Sequence, residues 1–167
     1  MSKNILLVRH AKSSWAYPEL DDKERPLNKR GKNDGPFMAN YCRELGLVPD
    51  RLLSSPAVRA YRTAQFFNSE FNEEVASLTR ESDLYFGSES DWMYLMNELP
   101  EAVTFPAFFS HNPTITYFAN MFADEILDNV PTCGVIHLKS TAELWSEVGY
   151  GNTRMENYYF PKLVRDL

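Results

Sequence analysis

The stretch Asn4-Ile5-Leu6-Leu7-Val8-Arg9-His10-Ala11-Lys12-Ser13-Ser14-Trp15 decides how this chain folds. Ile5 to Val8 is a short apolar run between polar neighbours, so residues 4–9 read as a buried strand that breaks abruptly at Arg9-His10. Working outward, Arg51–Ser54 reads as a second strand, 74–80 as a weaker one, 103–110 as a fourth ending at Ser110-His111, and Val135–Leu138 with Tyr158–Phe160 as late strands. Helical spacing lies between them. Residues 28–45 carry Met38, Tyr41, Cys42 and Leu45 on one stripe with Gly46 as terminator, and Pro36 is expected to kink this helix or mark its true start. Ser55-Pro56 is expected to cap a helix carrying Val58, Tyr61, Arg62 and Phe66. Ser88 with Asp91 forms a capping box ahead of Trp92, Leu95, Met96 and Leu99, and Asn112-Pro113 opens a helix with Ile115, Phe118, Ala119 and Phe122 inward. Residues 11–28 have no periodicity and read as a long loop. The alternation predicts a three-layer α/β/α sandwich around a mostly parallel central sheet, with ligands gathering beyond the carboxyl ends of the strands.

Length and charge narrow the function. The 167 residues suit a single domain spanning 1–167, and 44% hydrophobic with 24% charged residues is a globular balance. With 17 Lys and Arg against 23 Asp and Glu, the net charge of -6 argues against nucleic acid as partner. The first apolar run is too short for a signal peptide or membrane span, so no membrane association is expected and the cytoplasm is the expected location. Cys42 and Cys133 are too few and too far apart for a disulfide framework or a zinc site, and are expected to be buried thiols. The Asp21-Asp22 pair, with no histidine beside it, reads as solvated rather than metal-binding. Neither metal nor organic cofactor is expected.

Of three histidines, His10 and His111 directly follow predicted strands, while His137 lies within an apolar one and reads as structural. If the strands are parallel neighbours, His10 and His111 meet in one crevice with Arg9 and Arg59, forming a pocket for a phosphate-like anion. Lys12 and Arg25 are candidate substrate ligands. Arg25 could instead pin the loop through Asp22 or Glu24, and Trp15 could line the entrance or anchor the loop on the core.

The ordered segments Arg9-His10-Ala11-Lys12, Arg25-Pro26-Leu27 with Gly31, Ser54-Ser55-Pro56-Ala57-Val58-Arg59-Ala60 with Thr63-Ala64, and His111-Asn112-Pro113 resemble the histidine phosphatase superfamily, the phosphoglycerate-mutase-like fold, over roughly residues 4–125. The run at 9–15 and the Arg-Pro-Leu segment look most like its SixA-type phosphohistidine phosphatases. The resemblance implies a neutral His10 imidazole attacking phosphorus, with Arg9, Arg59 and His111 holding the equatorial oxygens. The same cations should lower the His10 pKa, whereas His111 can carry a proton when phosphate is bound. Where mutase-like relatives carry a glutamate just before a glycine, this sequence has Phe86-Gly87. That omission favours a phosphoramidate over an alcohol ester, unless Asp22, Glu24, Glu81 or Asp83 folds in as an acid. The implied substrate is phosphohistidine on a protein. Alternatives are a small phosphomonoester, or a phosphate-binding module without turnover.

Overall fold

A computed structural model describes residues 2–71 and 77–167. Six strands form one sheet in the order β3-β2-β4-β1-β5-β6: β1 (Lys3–Arg9), β2 (Arg51–Ser54), β3 (Leu78–Arg80), β4 (Pro106–Ser110), β5 (Val135–Ser140) and β6 (Thr153–Tyr159). The β1-β4, β4-β2 and β2-β3 pairings are parallel, and β5 and β6 add antiparallel pairings beyond β1. The sheet is thus mostly parallel, as the sequence predicts. Residues 74–76 of the expected strand 74–80 lie outside the described residues.

Side-chain alternation along β1 assigns the layers. Ile5 and Leu7 point into one apolar cluster with Leu53, Phe108, Ile136 and Leu138; Leu6 and Val8 point into another with Leu52, Ala107, Phe109 and Val135. Both faces of β1 are therefore dry, which is why its sequence is continuously apolar instead of alternating. The first cluster is covered by α4 (Glu89–Asn97) and α5 (Thr114–Asn120), the second by α1 (Lys29–Glu44) and α2 (Val58–Phe71). Each fully buried Ile or Leu contributes about 1.5–3 kcal/mol of transfer free energy, so this strand anchors both layers. Two short helices, α3 (Asp83–Phe86) and α6 (Pro161–Arg165), complete the set.

Helix boundaries depart from expectation at two places. Pro36 sits inside α1 and does not mark its start; Asn28 caps the helix, its side chain accepting from Gly31 N–H at 2.9 Å. Leu45, expected on the apolar stripe, is exposed, and Gly46 ends the helix at φ 76°. In the second case, Ser55 does not cap α2 directly. Its hydroxyl accepts from Ala57 N–H at 3.1 Å, and the first helical bond runs from Tyr61 N–H to the Ala57 carbonyl. The buried face of α2 carries Arg59, Ala60, Thr63, Ala64 and Phe67 in place of the predicted stripe of Val58, Tyr61, Arg62 and Phe66. The capping box at Ser88 and Asp91 forms as read, with Ser88 N–H donating to Asp91 Oδ2 at 2.9 Å.

Candidate active site

The carboxyl ends of β1, β4 and β2 stand side by side, in register at Arg9 with Ser110 and Ser54 with Phe109. One residue further, the chain delivers His10, His111 and Ser55 to the same edge. Arg59 arrives from the first turn of α2. The backbone of His10 is held on both sides: its N–H donates to the Ser110 carbonyl and its carbonyl accepts from Cys133 N–H, each at 3.0 Å. Thr63 ties β1 to α2, its Oγ1 accepting from Ala11 N–H at 3.0 Å and donating to the Arg59 carbonyl at 2.8 Å.

These residues face a cleft of about 230 Å³ lined by Arg9, His10, Lys12, Arg25, Arg59 and His111, together with Ser13, Trp15, Asn112 and Thr132. All six sequence-nominated residues are there. A larger cleft of about 540 Å³, between the 11–28 loop and the start of α1, holds none of them. Chemistry, not volume, identifies the site. His137 stands apart in β5, Nε2 against Asn4 Oδ1 at 2.9 Å, in the structural role expected of it.

Each imidazole makes one short contact, and that of His10 sets its tautomer. His10 Nδ1 lies 2.7 Å from the Ala11 carbonyl, which only accepts, so Nδ1 carries the proton and Nε2 keeps a free lone pair. His111 Nε2 lies 2.7 Å from Ser55 Oγ. That hydroxyl accepts from Ala57 N–H and keeps both a hydrogen and a second lone pair, so it can donate to or accept from His111 Nε2. Nδ1 is buried without a partner, as is Arg9 Nε, while Arg9 Nη1 donates to the Val130 carbonyl at 2.9 Å.

Burial dominates the titration of both histidines. The His10 pKa lies well below its usual value because of desolvation, then His111, with Arg59 and Arg9 adding smaller effects against the opposing Ala11 carbonyl. The sequence reading credited the guanidinium groups first; the larger cause is removal from water, since His10 is only 7% exposed. Desolvation and then Arg59 bring His111 down to about 3, although Asp22 opposes the shift. The Arg9 guanidinium is also shifted down, by burial and then by Arg59. Both imidazoles are neutral at pH 7, and the mutual repulsion of the guanidinium groups favours an incoming anion.

The entrance loop departs most from expectation. Asp22 is no bystander: its Oδ2 accepts from Arg59 Nη2 at 2.9 Å and Tyr85 Oη at 2.8 Å, its Oδ1 from Arg25 Nη1 at 3.1 Å, and its carbonyl from Arg59 Nη1 at 2.7 Å. Desolvation pushes the Asp22 pKa up, but the bonds from Arg59, Tyr85 and Arg25 outweigh it and bring the group to about 2. It is a carboxylate, not a proton donor. Arg25 both lines the cleft and pins the loop, donating to Ser13 Oγ at 2.6 Å and the Ser14 carbonyl at 3.2 Å. Its guanidinium lies 3.3 Å over the ring of Trp15, which stays 77% exposed and is not anchored in the core. Phe86, at the position where a glutamate acid is sought, is exposed and packs edge-to-face against Tyr85. Tyr85 and Thr132 escape the sequence reading because nothing in their spacing marks them; Ser55 and Asn112 are singled out there as helix starts, not as a partner of His111 and a residue lining the cleft.

Among the described residues, no group of three or more His, Cys, Asp or Glu side chains is placed to hold a metal ion.

The sequence matches the model of the histidine phosphatase superfamily, branch 1, over residues 5–112. It is 37% identical over 70 residues to an uncharacterised chloroplastic protein of Arabidopsis thaliana, a match covering 42% of this chain and only 32% of that one. The solved structure assigned as phosphohistidine phosphatase SixA from Agrobacterium tumefaciens is similar with a TM-score of 0.81 and 25% identity, covering 95% of this chain and 98% of that one. The protein histidine phosphatase SixA complexed with tungstate gives a TM-score of 0.77 at 20% identity, covering 96% and 99%. A mycobacterial glucosyl-3-phosphoglycerate phosphatase gives 0.68 at 11% identity, covering 93% and 98%. These last two likenesses are of fold.

Proposed function

The chain belongs to the histidine phosphatase superfamily, branch 1, and is a phosphatase of that group; from that premise we propose that it removes phosphoryl groups from phosphohistidine on a protein, through a covalent intermediate on His10 and without a metal. The observation that carries the reading is the His10 Nδ1 contact to the Ala11 carbonyl at 2.7 Å, because it leaves Nε2 unprotonated in the cleft that Arg9, Arg59 and His111 also line. Nε2 attacks phosphorus in line, and the P–N bond forms as the leaving-group bond breaks. Arg9, Arg59 and His111 stabilise the equatorial oxygens as their charge redistributes. Water then displaces phosphate from Nε2, the electron pair returns to nitrogen, and both water protons leave with the phosphate as its monoanion.

Substrate class follows from what the site lacks. An alcohol leaving group needs a proton, yet Phe86 offers none and Asp22 is held ionised. An imidazole leaves from phosphorus with far less basicity, which supports a phosphoramidate substrate. Lys12 and Arg25 contribute further positive charge for the bound phosphoryl group. Buried, free Cys42 and Cys133 suit the reducing cytoplasm in which we place the protein, and no described helix is long and apolar enough to cross a membrane.

The test is steady-state turnover, in EDTA, of a phosphohistidine peptide against sugar phosphates and nucleotides. We expect the peptide to have the higher kcat/KM and multiple turnovers. A preference for a sugar phosphate would overturn the substrate, a requirement for divalent ion would overturn the metal-free route, and binding without turnover would reduce the protein to a phosphate-binding module.

A further inference from the structure

We propose that Asp22 is a specificity-determining residue, its carboxylate receiving the ring N–H of an imidazole leaving group and disfavouring leaving groups that depart as anions. The inference rests on the phosphohistidine reading and deepens it.

Placement comes first. His10 is buried at 7% exposure, while the Asp22 side chain is 52% exposed and bonded to the cleft residues Arg59 and Arg25. In-line displacement sends the leaving group away from the buried His10, toward solvent. A carboxylate offers about four lone-pair positions. Arg59 and Tyr85 share Oδ2, whereas Oδ1 has Arg25 alone, leaving an acceptor position on Oδ1 unfilled. The loop spends its carboxylate on Arg59 and Arg25, two of the four cations lining the cleft, although a phosphate site alone would be stronger without it. That cost is explained if the carboxylate meets something cationic or N–H bearing.

The electron count fits. In a phosphoimidazolium the nitrogen distal to phosphorus carries a proton. When His10 Nε2 attacks, the P–N pair goes to the proximal nitrogen, and the distal nitrogen keeps its proton throughout. The leaving group departs as neutral imidazole with no proton transferred to it. A carboxylate hydrogen-bonded to the distal N–H favours this protonated, better-leaving form. An aryl phosphate expels phenoxide, which gains nothing from Asp22 and is repelled by it.

The experiment compares the wild type with Asp22→Asn, isosteric but uncharged, using phosphoimidazole and p-nitrophenyl phosphate under the same conditions, with thermal melts confirming a folded variant. We expect the ratio of kcat/KM for phosphoimidazole over p-nitrophenyl phosphate to fall about tenfold in Asp22→Asn, the size of one charge-assisted hydrogen bond. Equal losses on both substrates would mean that Asp22 only positions Arg59, and an unchanged ratio would mean that the leaving group does not meet it; either overturns the proposal. Failure of the substrate reading has its own signature: a wild type that turns over p-nitrophenyl phosphate but not phosphoimidazole, which removes this inference along with its premise.

Discussion

Acidification from pH 7 to 5 is expected to destabilise the protein by about 2 kcal/mol through His111 alone. The sign follows from its folded-state pKa of about 3, set by desolvation and then by Arg59. An unfolded histidine titrates near 6.5, so between that value and 3 the unfolded chain binds a proton that the folded chain refuses, and stability falls as pH falls. Each unit well inside that window costs about 1.4 kcal/mol, while the first half unit below pH 7 costs little. The result is insensitive to the folded pKa provided that it stays below about 4, because the folded imidazole is then neutral throughout the range. His10, also buried and shifted down, acts in the same direction. A loss of about 2 kcal/mol is a sizeable share of a total that in most domains is 5–15 kcal/mol. The assay is urea unfolding at pH 7, 6 and 5, comparing the wild type with His111→Asn, which cannot titrate. His137 contributes equally to both proteins and cancels. The wild type should lose about 2 kcal/mol more than the variant across the range, a difference of about 4–8 °C in Tm for a chain of this size. Parallel pH profiles would refute the claim that His111 is buried neutral.

Ser55→Ala removes the hydroxyl that orients His111 at 2.7 Å, and kcat/KM on an aryl phosphate should fall by about tenfold, with Ser55→Thr restoring most of it; an unchanged rate would mean that this contact does not position His111. Arg59→Lys cannot grip Asp22 with two nitrogens and still face the cleft, so kcat/KM should drop by about a hundredfold or more, and a mild loss would mean that Arg59 touches no phosphoryl oxygen. Gly31→Ala would place a Cβ 2.1 Å from the Lys12 carbonyl oxygen, forcing the loop off α1. Thermal melts should register a loss of about 1–3 kcal/mol, and vanadate inhibition should weaken; a variant with wild-type values on both would remove the close approach from the account.

The site was legible where chain direction alone fixes geometry. A buried strand that ends in Arg9-His10 must place those side chains at the sheet edge, and a second strand ending at Ser110-His111 does the same once the two are parallel neighbours. The layered fold was legible because Ile5 to Val8 is too apolar to face water on either side. What sequence could not resolve depends on rotation and on long-range partners. The α2 stripe was read one position early because Ser55 and Pro56 form a turn before the helix and not its first residues. Asp22 was read as solvated because its partners lie 37 and 63 residues away, at Arg59 and Tyr85. Local pattern carries no record of such contacts. The weight of desolvation in the His10 shift was hidden for a similar reason: burial is a property of the packed layers, whereas cations can be counted in the sequence.

The central claim is that His10 Nε2 is the nucleophile. Brief incubation with a labelled phosphoramidate, quenched in alkali and followed by peptide mapping, should recover alkali-stable, acid-labile phosphate on His10, absent from His10→Ala. Label on a serine or cysteine, or turnover that persists in His10→Ala, would contradict it.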